Sequence, residues 1–418
     1  MNKVLYVPLR KINSFIIYII AACLILNCNS VYELSGMISE KIVYAIIFVV
    51  ICLFCCVYRK MIFERDSKKK WLIILGLGVY QVSHMILRDG FNKWFIIKFI
   101  LCLMGLLTLL WADDVWGDKP FYKILCVFSK LVLGLAIMSL LFWLLGQILH
   151  IIPATGTVHY IWGSPRAVDS FFGLHFSAQE ISLLGHVFYR NTGIFTEAPM
   201  FAFVLSVAFL NTIFLEKKTK PIKLLILFIT ICTTVSATGV IVSSLAVIIK
   251  LLQVKHINKI CVCIFTGVCL LVIGAAFGYK MTRGSATSSF NIRVQDYEII
   301  VKSMRDKFFL GYGYERYDEI VYQYMDPVRK FDTGGSNGFF YPLTQGGILF
   351  FIPYLLAFIL ICRKNIKEKN YSELFFWGLY LVLFSASIIS LKLISLLFIA
   401  QGITSLIPKE AEPCMRTD

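Results

Sequence analysis

The chain has 418 residues, of which 58% are hydrophobic and only 16% are charged. A soluble protein carries about a quarter charged residues, so the composition excludes an ordinary soluble domain and predicts a polytopic membrane protein. The formal net charge is +16. Because the basic residues stand in short loops between apolar runs, this charge does not indicate a nucleic-acid partner. The spans are expected to form one membrane domain, residues 1–418.

A helix needs about 20 apolar residues to cross a bilayer. The first apolar run is not followed by a cleavage site, so it is expected to remain as an anchor. Breaks at 236–239 and 390–392 divide two long apolar regions. Each region is either two short spans or one long helix with a re-entrant piece. The sequence therefore predicts an all-α bundle of about twelve transmembrane helices: 12–28, 41–58, 71–87, 94–111, 124–150, 197–215, 222–235, 238–253, 260–279, 338–361, 373–389 and 391–407.

Orientation follows from the lysine and arginine residues of short loops, which are enriched on the cytoplasmic side of membrane proteins. The expected location is the cytoplasmic membrane, multi-pass, with both termini in the cytoplasm. Two long polar segments, 151–196 and 280–336, are then expected to be loops on the outer face. With twelve spans, four basic loops share the side of the termini: 59–70, 216–223, 250–259 and 363–370.

The larger outer segment, 280–336, carries nine basic and eight acidic residues, so its charges nearly balance. Within it, residues 291–308 carry apolar side chains at helical spacing, which predicts an amphipathic helix near the membrane surface. Long segments on one face and short basic loops on the other favour an enzyme or receptor that works on the outer leaflet.

Arg190 and Glu197 lie close together at the start of the sixth predicted span. Pro199 suits the first turn of a helix, and a carboxylate at position 197 is electrostatically favoured at the helix N-terminus. One interpretation of Glu197 is a simple helix cap. The other is an aqueous pocket in which Arg190 binds an anionic headgroup and Glu197 orients or deprotonates a hydroxyl group.

Two further arginines, Arg283 and Arg293, flank a serine- and threonine-rich stretch of the larger segment. A guanidinium group stays charged and forks onto phosphate oxygens, so the pair suits a lipid-linked pyrophosphate. Anchoring to anionic phospholipid headgroups is the alternative. Asp296 lies about one helical turn after Arg293 and is placed to fix its orientation.

Tyr312 and Tyr314 begin a tyrosine cluster that suits sugar rings or, in the favoured interpretation, packing at a membrane interface. Ser336 and Asn337 precede a predicted span and offer an anion or glycan contact. Inside the fourth span, Lys98 is expected to extend its ammonium group to the membrane surface. The histidines show no metal-ligand spacing, so no metal or other cofactor is expected.

Four patches follow one another along the chain: Arg190-x-x-Gly193-x-Phe195-x-Glu197-x-Pro199, the Ser/Thr/Gly turn 233–239, Arg293 followed by the hydrophobic Gly-x-Gly stretch 308–313, and Ser336-Asn337 with Gly347 after nine residues. In this order, the chain resembles the superfamily of O-antigen polymerases (Wzy-like) and O-antigen ligases. The resemblance in architecture extends over nearly the whole chain and implies a GT-C-like fold. Ser336 stands where the ligases have histidine, which favours the polymerase branch.

The resemblance implies a membrane glycosyltransferase that polymerises undecaprenyl-pyrophosphate-linked oligosaccharide repeat units into surface polysaccharide. The lipid-linked substrate and membrane lipids are the expected partners, and the resemblance adds a chain-length regulator and a flippase. The expected catalytic residues are Glu197, Arg190 and Arg293. The expected substrate contacts are Arg283, Asn337, Ser336, Tyr312 and Tyr314.

Three other functions stay open. A ligase of the same fold transfers finished glycan, so its deletion leaves lipid-linked polymer instead of single units. A flippase or exporter of lipid-linked sugars would carry cationic residues well inside several spans, whereas this chain keeps most of its charge near the predicted interfaces. The third is a sensor without catalysis.

Overall fold

The structure is a computed structural model that describes residues 3–62, 68–112, 119–183, 186–218, 220–253, 289–326, 337–389 and 391–407. The predicted span 260–279 and the candidate residues Arg283 and Ser336 lie outside these ranges. The described chain is mostly helical, which confirms the predicted fold class at that level.

The helices of the described chain are labelled here in chain order. Three π-helical stretches join or extend them, at Ile96–Cys102, Trp143–Ile148 and Asn211–Leu215. The α-helices are α1 Lys3–Leu26, α2 Val31–Leu34, α3 Glu40–Val57, α4 Arg59–Ile62, α5 Lys68–Asp89, α6 Lys93–Phe95, α7 Leu103–Trp111, α8 Pro120–Phe142, α9 Ala198–Leu210, α10 Pro221–Thr233, α11 Ala237–Gln253, α12 Ser289–Asp306, α13 Tyr317–Tyr324, α14 Tyr341–Lys367, α15 Tyr371–Ser385 and α16 Leu393–Thr404.

Several of these helices are long and apolar enough to cross a membrane. Within the described residues there are six, at Glu40–Val57, Lys68–Arg88, Lys93–Trp111, Pro120–Ile148, Ala198–Leu215 and Tyr341–Lys367. Shorter apolar helices accompany them at Ile12–Leu26, Pro221–Thr233, Ala237–Gln253, Tyr371–Ser385 and Leu393–Thr404. These lengths and compositions indicate a membrane protein. The number of spans stays a prediction.

Helix α9 runs through the interior of the bundle. Every residue of Ala198–Leu210 except Pro199 is buried. A helix that is apolar on all sides has to be surrounded by other helices, and α9 packs against α8, α10, α11 and α15. Glu197 immediately precedes this helix, so its backbone is held at the end of a fully packed element.

The segment 151–196, predicted only as a loop, contains strands, which corrects the purely α-helical expectation. Its strands are β1 Gly156–Trp162, β2 Ser164–Phe171, β3 His175–Phe176, β4 Glu180–Leu183 and β5 His186–Tyr189. β1, β2 and β3 form one antiparallel sheet, and β4 pairs with β5. The β1–β2 hairpin turns at Gly163, whose φ of 68° is one that glycine adopts readily.

Helix α12 occupies the segment predicted as amphipathic. Its buried residues recur at spacings of three and four: Asp296, Ile299, Ile300 and Ser303. One face of the helix therefore packs against the rest of the protein, and its neighbours are α13 and α14.

Helix α14 is broken at Gly347, whose φ of 64° and ψ of −167° are not helical. The stretch 308–313 lies against this break, and Gly311 faces it so closely that an added Cβ would be 2.5 Å from the Gly347 nitrogen. Backbone hydrogen bonds join the two segments: Tyr312 N to Thr344 O at 2.9 Å, Gly313 N to Gln345 O at 2.8 Å and Ile348 N to Phe308 O at 2.8 Å. Gly311 and Gly347, which belong to two of the motif patches of the sequence, thus contact each other through the backbone.

A chain of ion pairs joins four parts of the sequence. Lys98 Nζ lies 3.0 Å from Glu40 Oε1 and 3.7 Å from Glu315 Oε1. Lys392 Nζ lies 2.6 Å from Glu33 Oε1 and 3.6 Å from Glu40 Oε1. The Lys98 side chain is only 4% exposed, and carboxylates supplied by two other segments compensate its charge. Its position relative to the membrane surface stays a prediction.

The acid sensitivity of the β1–β3 sheet is predictable from His175. This side chain is fully buried, and neither ring nitrogen has a hydrogen-bond partner within the described ranges. Burial lowers the pKa of His175 from 6.5 to about 3. Between these values the unfolded segment binds a proton that the folded one does not. Stability is therefore complete above pH 6.5 and falls by about 1.4 kcal/mol per pH unit as the pH decreases toward 3.

Replacing His175 by phenylalanine is expected to remove this acid sensitivity. Hydrogen exchange of residues 156–176 at pH 7 and pH 5 measures it, with His159→Phe as the control because His159 is exposed on β1. Equal loss of protection at pH 5 in the unmodified protein and in His175→Phe would contradict the prediction.

Candidate functional site

Glu197 occupies the N-cap position of α9, but its side chain makes no capping hydrogen bond. The amide oxygen Oε1 of Gln179 accepts from the Ala198 backbone N–H at 3.1 Å instead. The Glu197 carboxylate accepts at Oε1 from the indole Nε1–H of Trp162 at 2.6 Å. The interpretation of Glu197 as a simple helix cap is therefore wrong, because another residue caps the helix.

Arg190 contacts the end of α10. Its Nε–H donates to the Thr234 carbonyl at 2.8 Å and its Nη2–H donates to the Val235 carbonyl at 3.2 Å. Cations are favoured at helix C-termini, where carbonyl groups lack helical partners. Val235 has a φ of 51°, an uncommon conformation for a β-branched residue. Arg190 thus stabilises the turn between α10 and α11.

Arg293, on the first half of α12, contacts the start of α11. Its Nη1–H donates to the Thr238 hydroxyl at 3.0 Å. The same guanidinium lines a small cleft. The other walls come from α9, from the turn before α11, from α11 itself and from the end of α15: Pro199, Ala202, Phe203, Ser236, Thr238, Gly239, Leu383, Ala386 and Ser387.

The charges of Arg190, Glu197 and Arg293 act on one another. Burial lowers the pKa of Arg190 to about 10, Glu197 opposes this shift, and Arg293 adds to it. Burial also lowers the pKa of Arg293, and Asp296, Tyr297 and Glu197 oppose that shift. Both guanidinium groups remain charged at neutral pH. These three groups, from two parts of the sequence, are therefore within electrostatic range of one another, and Arg293 is the member that lines the cleft.

The remaining candidates lie apart from this cluster. Tyr312 and Tyr324 share a hydrogen bond between their hydroxyl groups, and Tyr324 also donates to Asp306. Tyr314 is buried against Phe95, with the two rings edge to face. Neither Tyr312 nor Tyr314 lines the cleft.

Asn337 acts at the start of α14, where its Oδ1 accepts from the Phe340 backbone N–H at 3.1 Å. The next residue, Gly338, packs so tightly on Ser387 of the cleft wall that an added Cβ would be 2.6 Å from its carbonyl oxygen. Asn337 therefore directly precedes a residue that contacts the cleft wall, but Asn337 itself does not line the cleft.

Two residues of the site were not predicted from the sequence. Trp162 lies 35 positions before Glu197 in a segment predicted as a loop. Gln179 reaches Ala198 through its side chain, and its backbone carbonyl accepts from the Arg190 N–H at 3.0 Å. The alternating pattern of residues 157–162 is a strand signal, but no local signal indicates which partner the strand meets.

The described chain is thus a helical bundle with membrane-length helices, in which one guanidinium group lines a cleft and interacts electrostatically with a second guanidinium group and a carboxylate. No protein-family model matches the chain, and no curated protein sequence matches it.

Proposed function

We propose that the protein polymerises lipid-pyrophosphate-linked oligosaccharide repeat units into surface polysaccharide, as a membrane glycosyltransferase. The observation that carries this proposal is the electrostatic interaction of Glu197, Arg190 and Arg293, of which Arg293 lines a cleft, together with a carboxylate that is not used for helix capping. A base and cationic groups are the two requirements for displacing pyrophosphate with a sugar hydroxyl.

In the proposed reaction, the acceptor hydroxyl oxygen attacks the anomeric carbon of the donor chain. The bond between that carbon and the pyrophosphate oxygen breaks, so the lipid pyrophosphate leaves with the bonding electrons. Glu197 takes the hydroxyl proton. Arg293 neutralises the negative charge that develops on the leaving group, and Arg190 holds the turn that carries Thr238 while adding positive charge.

The proposed reaction belongs on the outer face of the cytoplasmic membrane, with both termini in the cytoplasm. The distribution of basic loops supports this orientation. The proposed partners are the lipid-linked substrate, membrane lipids, a chain-length regulator and a flippase. A transporter is less well supported, because Lys98, one of the described lysines inside a predicted span, is paired with Glu40.

Replacing Glu197 by glutamine is expected to stop polymer formation, since the amide cannot accept the proton and is close to the carboxylate in size. The variant is produced in a deletion strain of the source organism, and lipid-linked intermediates and surface polymer are analysed by chain length. Single repeat units are expected to accumulate. Glu180→Gln, an exposed position on β4, is the control and is expected to give normal polymer.

Each outcome of this experiment supports one of the candidate functions against the others. Normal polymer in Glu197→Gln, at normal protein level, refutes the catalytic role of the carboxylate. Accumulation of lipid-linked polymer instead of single units in the deletion strain identifies a ligase. Repeat units retained on the inner leaflet identify a flippase.

A further inference from the structure

The β1–β2 hairpin carries side chains near the carboxylate of Glu197, and none of them has a role in the reaction described above. Alternation along β1 places Tyr160 and Trp162 on one face of the hairpin. Arg166 of β2 lies directly opposite Tyr160 in the ladder and therefore shares that face. Tyr160 is buried and Trp162 and Arg166 are half-buried, whereas His159 and Ile161 on the opposite face are exposed. The hairpin thus packs this face against the protein.

The charge of Glu197 acts on a side chain of the same face of the hairpin. Burial raises the pKa of Tyr160, the charge and hydrogen bond of Arg166 lower it, and the charge of Glu197 raises it. Trp162 donates its indole N–H to Glu197 Oε1 at 2.6 Å. A bond of this length to a carboxylate is charge-assisted and is among the stronger hydrogen bonds in proteins.

The sheet that carries the hairpin is held by contacts within it and with the bundle. The Thr155 hydroxyl donates to the Ser170 carbonyl at 3.0 Å, and the Tyr32 hydroxyl of α2 donates to the Gly173 carbonyl. The sheet also contacts α8, so Trp162 reaches the carboxylate from a sheet that is packed on the bundle.

We propose that Trp162 is a positioning residue for Glu197. By holding Oε1, the indole fixes the carboxylate plane and leaves Oε2 to receive the proton of the acceptor hydroxyl. Because Gln179 caps α9, the Trp162 hydrogen bond determines where the carboxylate points. This inference rests on the proposed polymerase function and adds Trp162 to the residues that set its rate of turnover.

The test replaces Trp162 by phenylalanine, which keeps an aromatic ring and removes only the N–H donor. Membrane vesicles that contain each variant receive lipid-linked repeat units extracted from the deletion strain, and initial rates of polymer formation are measured over a range of substrate concentrations. We expect kcat to fall about 10-fold or more with little change in KM, because orientation of a catalytic group acts on the chemical step.

A matched control is available in Trp143. Its indole N–H donates to the Tyr189 carbonyl at 2.9 Å, so Trp143→Phe removes an equivalent bond that does not involve Glu197. Trp143→Phe is expected to keep kcat within about twofold of the unmodified protein.

The outcomes separate the inference from the proposed function. Unchanged kcat in Trp162→Phe, with Glu197→Gln inactive, overturns the positioning role and leaves the polymerase proposal standing. Full activity in Glu197→Gln overturns the proposed role of the carboxylate and the inference with it. Equal losses in Trp162→Phe and Trp143→Phe show that both tryptophans act only through folding, and this also overturns the positioning role.

Discussion

Replacing Arg293 by alanine is expected to abolish long-chain polysaccharide while the protein level stays unchanged. Its guanidinium lines the cleft, is held by the Thr238 hydroxyl at 3.0 Å, and lies in the electrostatic range of Glu197. Removing one preorganised group that stabilises developing negative charge lowers turnover by about 100- to 1000-fold. Gel analysis of polymer length, together with rates in membrane vesicles, measures the effect.

Two further variants test whether the effect depends on the geometry of the guanidinium group and on this one side chain. Arg293→Lys keeps the charge but loses the planar fork, so an intermediate rate is expected. Arg305→Ala removes an exposed arginine from the same helix, and normal polymer is expected. Normal chain length in Arg293→Ala would refute the assignment of the cleft as the reaction site. Loss of polymer in Arg305→Ala would show that the whole helix, and not one side chain, is sensitive to charge.

Replacing Gly347 by alanine is expected to prevent the protein from accumulating in a folded form. The backbone conformation at Gly347 lies in a region that is essentially restricted to glycine. An added Cβ would also lie 2.4 Å from the carbonyl carbon of Phe309, which is backbone and cannot rotate away. The strain and the clash together are expected to cost about 3 kcal/mol or more.

The measurement is the thermal stability and yield of the detergent-solubilised protein. Gly311→Ala is expected to behave like Gly347→Ala, because each glycine contacts the backbone of the other segment. The matched control is Gly378→Ala within α15, where an added Cβ meets nothing within 4 Å. Alanine there is expected to be neutral or to stabilise the helix by about 0.5–1 kcal/mol. Normal stability of Gly347→Ala would contradict the described break in α14.

The helical framework was predictable because its signal is local. An apolar run such as 198–210 becomes a helix because hydrocarbon offers no water to its backbone N–H and C=O groups, which must then pair within the segment; composition alone therefore indicates it. The residues at its start were predictable for the same reason, since Pro199 and a preceding carboxylate mark a helix N-terminus. The grouping of Arg190 and Glu197 with Arg293 rested on resemblance and on motif order, and their charges affect one another's pKa values.

The partners of these residues were not predictable, because they come from distant segments. Lys98 was interpreted from its depth in one span, and that depth does not indicate Glu40 and Glu315, which supply its counter-charges. Tyr314 was considered as a sugar contact, but it packs against Phe95 in the interior. Periodicity in one segment identifies a buried face and does not identify what covers that face.

The ion pairs of Lys392 with Glu33 and Glu40 have a consequence for biosynthesis. Glu33 is made 359 residues before Lys392, whereas Glu40 also pairs with Lys98. A nascent protein therefore carries the Glu33 carboxylate without this lysine until the segment that contains Lys392 is made. A chain terminated before Lys392 leaves a buried carboxylate without its lysine partner, a charge defect that is expected to hinder closure of the bundle.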